Sequence, residues 1–162
     1  MKKVILSIVT IFFISCHEGR KTDEIKIEHN SEINIERELE LIEQTRNSFQ
    51  KAFKEKRYGD LNQFIMEGFK GVPPGSEDWQ EYNRLGKNPT GQFSVDSISM
   101  RPQETSVVSD SVAYEFGTSS VFYKNADGES IELKNTFLMI LKKDKIDGKW
   151  KLYRDVSSSV VE

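Results

Sequence analysis

Apolar residues from Ile35 onward fall at Ile35, Leu39, Ile42, Phe49 and Phe53, with Thr45, Arg46 and Ala52 between them. Spacings of three, four and seven put them on one face of a helix. That helix should close near Arg57-Tyr58-Gly59, where glycine can take the left-handed conformation. Asp60 with Gln63 three residues later has the form of a capping box, so a short second helix is expected to bury Leu61, Phe64 and Ile65. Pro73 and Pro74 then interrupt regular structure. Ser76 is placed to cap a third helix, with Glu77 and Asp78 at its positive end, Trp79, Tyr82 and Leu85 along its inner side, and Gly86 as its stop.

After Pro89 the period changes. Phe93, Val95, Ile98 and Met100 suggest a strand with a bulge, and Val107-Val108 meets Val112 across the turn Ser109-Asp110-Ser111. From Val112 to Lys124 the chain alternates, with Val112, Tyr114, Phe116, Thr118, Ser120 and Phe122 on one face. Asp127-Gly128 is a hairpin signal of the kind in which both turn residues take positive φ. Ile131 to Lys142 is the partner strand, and its "NTFLMILKK" is apolar on both faces, as a central strand would be. Asp147-Gly148 returns the chain into Trp150 to Val156. Helices first and an antiparallel meander afterwards predict an α+β fold, with the helices on one face of a curved sheet.

The start of the chain has a different character. Met1-Lys2-Lys3 is basic, and Val4 to Ile14 is an apolar run too short for a permanent bilayer span, which is the build of a secretory signal peptide. Phe13-Ile14-Ser15-Cys16 resembles the lipobox of bacterial lipoproteins, with Phe13 where leucine is more usual, and implies lipidation of Cys16 after cleavage. The plainer alternative, a buried free cysteine, lacks a core to sit in, because "HEGRKTDE" follows directly. Residues 1–15 are therefore expected to be a signal peptide and residues 16–34 a flexible tether, with isoleucines only at 25, 27 and 33. Residues 35–162 form one domain. The expected location is the bacterial envelope, held to the bilayer through acylated Cys16. The outer membrane is favoured in a cell with two membranes, since no aspartate follows Cys16.

Composition narrows the chemistry. The formal net charge of −3, more negative once Lys2 and Lys3 are removed, gives a phosphate backbone nothing to bind, so nucleic acid is not an expected partner. Both histidines, His17 and His29, lie in the tether, and Cys16 is the single cysteine. Residues 35–162 thus cannot build a histidine-based triad, a cysteine nucleophile or a zinc site of the His/Cys kind. No G-x-G-x-x-G or Walker pattern occurs, and neither a cofactor nor a metal is expected.

Three stretches carry a family resemblance: "FKEKRYGDLNQFI" (Phe53 to Ile65), "VPPGS" (Val72 to Ser76) and "FLMILKKDKIDGKWKLYRDVSSS" (Phe137 to Ser159). In order and spacing they resemble the nuclear transport factor 2-like superfamily, above all its SnoaL-like branch and the domain of unknown function 4440. The resemblance implies a cystatin-like cone, a strongly curved antiparallel sheet around a long N-terminal helix with two shorter helices. It also implies a pocket at the open end and homodimers through the outer sheet face. The catalytic residues of the superfamily's ketosteroid isomerases do not carry over. Their tyrosine, base and acid positions fall near Ala52, Pro73 and Leu138. The Arg-x-Asp step of epoxide-hydrolase relatives is absent as well.

The remaining polar candidates are Glu115, inside a strand, and the neighbours Arg154 and Asp155, which point to opposite faces, with Arg101 as a further cation. Their plainer reading is a cross-sheet salt bridge or a solvated edge. Ser157-Ser158-Ser159 has no base beside it and reads as a frayed end. Trp79, Tyr82, Phe116, Phe122 and Phe137 are candidates to line an apolar pocket, or else are core. Three functions stay open: a noncatalytic domain binding a small apolar ligand or a protein, a histidine-independent hydrolase or isomerase using a pocket carboxylate, and a dimerisation domain with a filled cone.

Overall fold

The computed structural model describes residues 33–76, 78–87 and 94–160. Helix α1 runs Ile35–Lys54. The Asn34 side chain accepts from the Arg37 amide at 3.0 Å, Glu36 and Glu38 lie in the first turn, and Lys51 and Lys54 in the last, all in the sense the helix dipole favours. The helix closes at Lys56, whose φ of 58° places it in the left-handed region, and not at Gly59 as its sequence suggests. Amide bonds from Lys56 to the Phe53 carbonyl and from Arg57 to the Ala52 carbonyl complete that turn. The next stretch, Tyr58–Phe64, is a 3-10 helix with no side-chain cap. Asp60 lies inside it and pairs with Arg57, so the capping box does not form.

Strand β1, Ile65–Val72, occupies a segment whose first residue was expected to belong to the second helix. Helix α2, Trp79–Gly86, is capped by Asp78, whose Oδ1 accepts from the amides of Gln80 (2.7 Å) and Glu81 (2.9 Å). Ser76, the expected cap, instead donates its hydroxyl to the Pro73 carbonyl at 2.9 Å. Four strands follow: β2 Val95–Val107, β3 Val112–Lys124, β4 Ser130–Lys143 and β5 Trp150–Ser159. The sheet order is β1-β5-β4-β3-β2, with β4 in the centre as its two apolar faces suggest. Strands β2 to β5 form the expected antiparallel meander, and β1 adds a parallel pairing with β5, so the sheet is mixed. At the β3–β4 hairpin only Gly128 has positive φ, 82°. Asn125 and Glu129 bracket a three-residue loop, and the Asn125 side chain accepts from the amides of Asp127 and Glu129, so Asp127 needs no unusual backbone.

Alternation along β3 and β4 decides what faces α1. Ala113, Glu115, Gly117 and Ser119 of β3 are buried, as are Asn135, Phe137, Met139 and Leu141 of β4. Gly117 is required here: a Cβ would lie 2.4 Å from the Arg101 carbonyl oxygen, where β2 bulges between Pro102 and Glu104. Ile42 of α1 packs with Ala113, Leu141 and Trp150 in the core, with burial of an isoleucine contributing about 1.5–3 kcal/mol. Glu38 fastens the helix to the end of the sheet, accepting from the Trp150 indole at 2.8 Å and from the Lys143 ammonium at 2.6 Å. Further along, the Gln50 carboxamide accepts from the Met100 amide at 2.7 Å and ties α1 to β2.

Candidate functional site

Beyond the Ile42 core, aromatic side chains hold α1 and the 3-10 helix over the sheet. Phe49 and Phe53 meet edge to face at 5.1 Å, Phe49 reaches Phe64 at 6.0 Å, and Phe53 reaches Tyr58 at 6.1 Å. The Tyr58 hydroxyl donates to the Val95 carbonyl at 3.3 Å and links this cluster to β2. Because the facing positions of β3 are small, Gly117 and Ser119, the sheet does not fill the space beneath. A cavity of about 510 Å³ remains, inside the roughly 300–1,000 Å³ range of small-molecule sites. Its lining is mostly apolar, with Phe49, Phe53, Phe69, Leu133, Phe137 and Met139 among the larger contributors.

The polar groups in this lining are few and arranged by strand register. Asp155 of β5 stands opposite Met139 of β4, Ser157 opposite Phe137, and Ser159 opposite Asn135, which in turn faces Ser119 of β3. Asp155, Ser157, Asn135 and Ser119 all line the cavity. Burial pushes the Asp155 carboxyl up to about 6, against the hydrogen bond it accepts from the Ser157 hydroxyl at 3.2 Å. The Asn135 side-chain oxygen is buried with no donor to it among the described residues. Gly71 lies beside Asp155 on β1, where a Cβ would approach the Asp155 Cβ at 3.5 Å and the Phe69 ring at 2.9 Å, so the glycine lets β1 close over the carboxylate.

Glu115 sits in the same cross-strand row, opposite Met139. It is fully buried and ion-paired with Arg46 of α1, and it accepts from the Thr105 hydroxyl at 3.0 Å. Burial raises its pKa while Arg46 and Thr105 pull it back, and its second oxygen has no partner among the described residues. A separate small void of about 30 Å³ lies between Arg46, Glu115 and the apolar side chains around them. Arg46 and Glu115 form the salt bridge that the plainer reading of Glu115 anticipates, although between helix and sheet and not across the sheet.

The expected site residues divide. Phe137 and Asp155 line the large cavity. Phe116 and Phe122 do not: they share the face that alternation assigns them, but it is the outer face of the sheet, where Phe116 is 44% exposed. The side chains of Trp79 and Tyr82 lie outside the described residues, as does Cys16. Arg154 points away from Asp155, stacks 3.7 Å over the Tyr153 ring and donates to the Gly68 and Tyr153 carbonyls. Arg101 donates to the Ser120 hydroxyl at 2.8 Å and is exposed. Ser157, expected at a frayed end, is paired on β5 beside Asp155. Asn135, Ser119 and Phe69 are lining residues that sequence reasoning missed. For the first, the parity of "NTFLMILKK" was the available signal, since Asn135 shares its face with Phe137 and Met139. No group of three or more His, Cys, Asp or Glu able to hold a metal occurs among the described residues.

The architecture matches solved structures over most of its length. A ketosteroid isomerase-like protein from Erwinia carotovora atroseptica superposes with a TM-score of 0.60 at 18% identity, over 77% of this chain and 98% of that one. This is a nuclear transport factor 2-like fold. A Caulobacter vibrioides protein with a cystatin-like fold gives a TM-score of 0.55 at 10% identity, over 77% of this chain and 91% of its own. The CaMKII hub from S. rosetta gives 0.53 at 12% identity, over 75% and 95%. No protein-family model and no curated protein matches the chain. Within this nuclear transport factor 2-like frame, Ala52 is buried in α1, Pro73 lines the cavity and Leu138 faces outward. These three side chains supply neither a base nor an oxyanion donor.

Proposed function

We propose that this domain binds a small, largely apolar molecule in the cavity between α1 and the sheet. The observation that carries the reading is the cavity itself, about 510 Å³ in volume and mainly apolar in its walls. A cone filled by its own side chains would leave no such space. Native mass spectrometry of the protein purified from its own host, compared with a denatured spectrum, tests it. A retained small-molecule mass supports ligand carriage and gives the ligand's class. Bare protein masses, under conditions that preserve a known weak complex, refute tight carriage.

A second reading, proton-transfer catalysis by Asp155, is favoured by one observation. A carboxyl titrating near 6 in an apolar cavity can both take and return a proton close to neutral pH. Its test is turnover of an enolisable ketone panel, which Asp155→Asn should abolish if the carboxylate is the base.

Self-association through the outer sheet face is supported by Phe116, Leu138 and Val156. They are paired neighbours on β3, β4 and β5 and are 44%, 48% and 58% exposed. Two fold neighbours carry the names association domain and hub. Sedimentation of the native chain and of Leu138→Lys should give a multimer and a monomer respectively; a native monomer removes this reading. We also propose a lipid anchor on Cys16 in the bacterial envelope, on the outer membrane in a cell with two membranes. The basic start, short apolar run and Ser15-Cys16 step support it. Fatty-acid labelling that persists in Cys16→Ser would refute it.

A further inference from the structure

The polar groups of the cavity ask for a particular ligand chemistry. Asp155 is half-buried in the wall of a largely apolar cavity, and no lysine or arginine among the described residues pairs with it. Arg154 is turned to the other face and engaged there, and the Ser157 hydroxyl supplies the one hydrogen bond the carboxylate receives. Asn135 is 4% exposed, and its side-chain oxygen has no donor among the described residues. Asp155 thus carries one neutral hydroxyl donor and no cation, and the Asn135 oxygen carries no donor among the described residues, so both acceptors have capacity to spare. Five aromatic residues, Phe49, Phe53, Tyr58, Phe69 and Phe137, also line the space, and the faces of such rings attract cations.

We propose that the ligand of this cavity is an apolar organic cation, an alkyl or aralkyl ammonium whose charged nitrogen sits on the Asp155 carboxylate. The inference rests on the cavity being a binding site and adds the chemical class of its occupant. An ammonium adds charged donors to a carboxylate held by one hydroxyl, balances its charge in a poorly solvated place and gains from the aromatic walls. An acid of the same shape would set two carboxylates against each other. A neutral hydrocarbon would bring a donor to neither acceptor. Asn135 lies four residues from Met139 along β4, roughly 14 Å at about 3.4 Å per residue, so it meets the far end of an elongated ligand and selects a second donor there.

Calorimetric titration of the full chain near neutral pH with octylammonium, 1-octanol and octanoate tests this, together with the same series on Asp155→Asn. Octylammonium should bind about tenfold more tightly than octanol, and octanoate least. Asp155→Asn should remove the ammonium preference, weakening octylammonium far more than octanol. An independent reading that needs no variant is the Asp155 carboxyl carbon resonance, which should move with octylammonium and stay with octanol. Equal affinity for octanol and octylammonium, or an ammonium preference that survives Asp155→Asn, overturns the inference and leaves the cavity as a binding site. If none of the three binds, the cavity reading fails and takes this inference with it.

Discussion

Replacing Asp155 by asparagine is the perturbation that most directly weighs the cavity's polarity. The carboxyl stands at about 6 in the folded protein against 3.8 for an ordinary aspartate, a difference of about two units. At 1.36 kcal/mol per unit the folded state loses about 3 kcal/mol when this group ionises. The sign follows from proton binding. Between pH 4 and 6 the folded chain holds a proton on Asp155 that the unfolded chain has released, so stability falls as pH rises through that window and then levels off. Asparagine has nearly the same shape, can still accept from Ser157 and does not titrate. The variant should therefore match the native protein's pH trend below pH 4, gain on it steadily up to about 6, and end about 2–3 kcal/mol more stable above 7, on the order of 10 °C in Tm. Solvent entering through the cavity mouth sets the lower end of that range.

The assay is urea unfolding of both proteins from pH 4 to 7.5, followed by fluorescence of buried Trp150, with the difference in free energy plotted against pH. Other titrations cancel in the difference, including that of Glu115, which is two strands away and neutralised by Arg46. A flat difference would mean that Asp155 is solvated and titrates as a free aspartate. A difference of opposite slope would mean that a cation holds it ionised. Either result refutes the picture of an unpaired carboxylate in an apolar wall.

Three other perturbations test the frame around the site. Arg46→Met strands the buried Glu115 charge and should cost about 3–5 kcal/mol in urea unfolding, much of it recovered in Arg46→Met/Glu115→Met, where nothing is left unpaired. Gly117→Ala pushes a methyl into the Arg101 carbonyl and should cost about 1–3 kcal/mol, with amide shifts concentrated at the β2 bulge. Burial opposes the charge on Glu38, but the bonds from Lys143 and Trp150 and the nearby Lys143 and Arg37 charges hold its pKa below the usual glutamate value. Its contribution is therefore present above the unfolded pKa and fades as pH falls through the lower folded one. Glu38→Gln should cost roughly 1–3 kcal/mol at neutral pH, shrinking toward zero in acid.

Much of the fold could be read from residue patterns, and the site much less so, for a physical reason visible in β3 and β4. Period-two alternation sorts a strand's residues into two faces but does not say which face turns inward. In β3 one set reads Tyr114, Phe116, Thr118, Ser120, Phe122 and the other Ala113, Glu115, Gly117, Ser119, Val121. Hydrophobicity alone points the aromatic set inward, yet the small and polar set faces α1. The helix explains the choice: Phe49 and Phe53 already fill that side with rings, and only short partners leave room for them. β1 was hidden differently, because Gly68 breaks its register and Gly71 is held bare by the Phe69 ring and Asp155, so "IMEGFKGV" shows no clean alternation. Each face thus carries a few residues that stability alone would not place there. The interior keeps Asp155, Glu115 and Asn135, while the exterior keeps Phe116, Leu138 and Val156 uncovered. Polar groups kept inside and apolar ones kept outside each cost free energy in the isolated domain, which is why the proposed ligand and the proposed self-association are tested on these two rows.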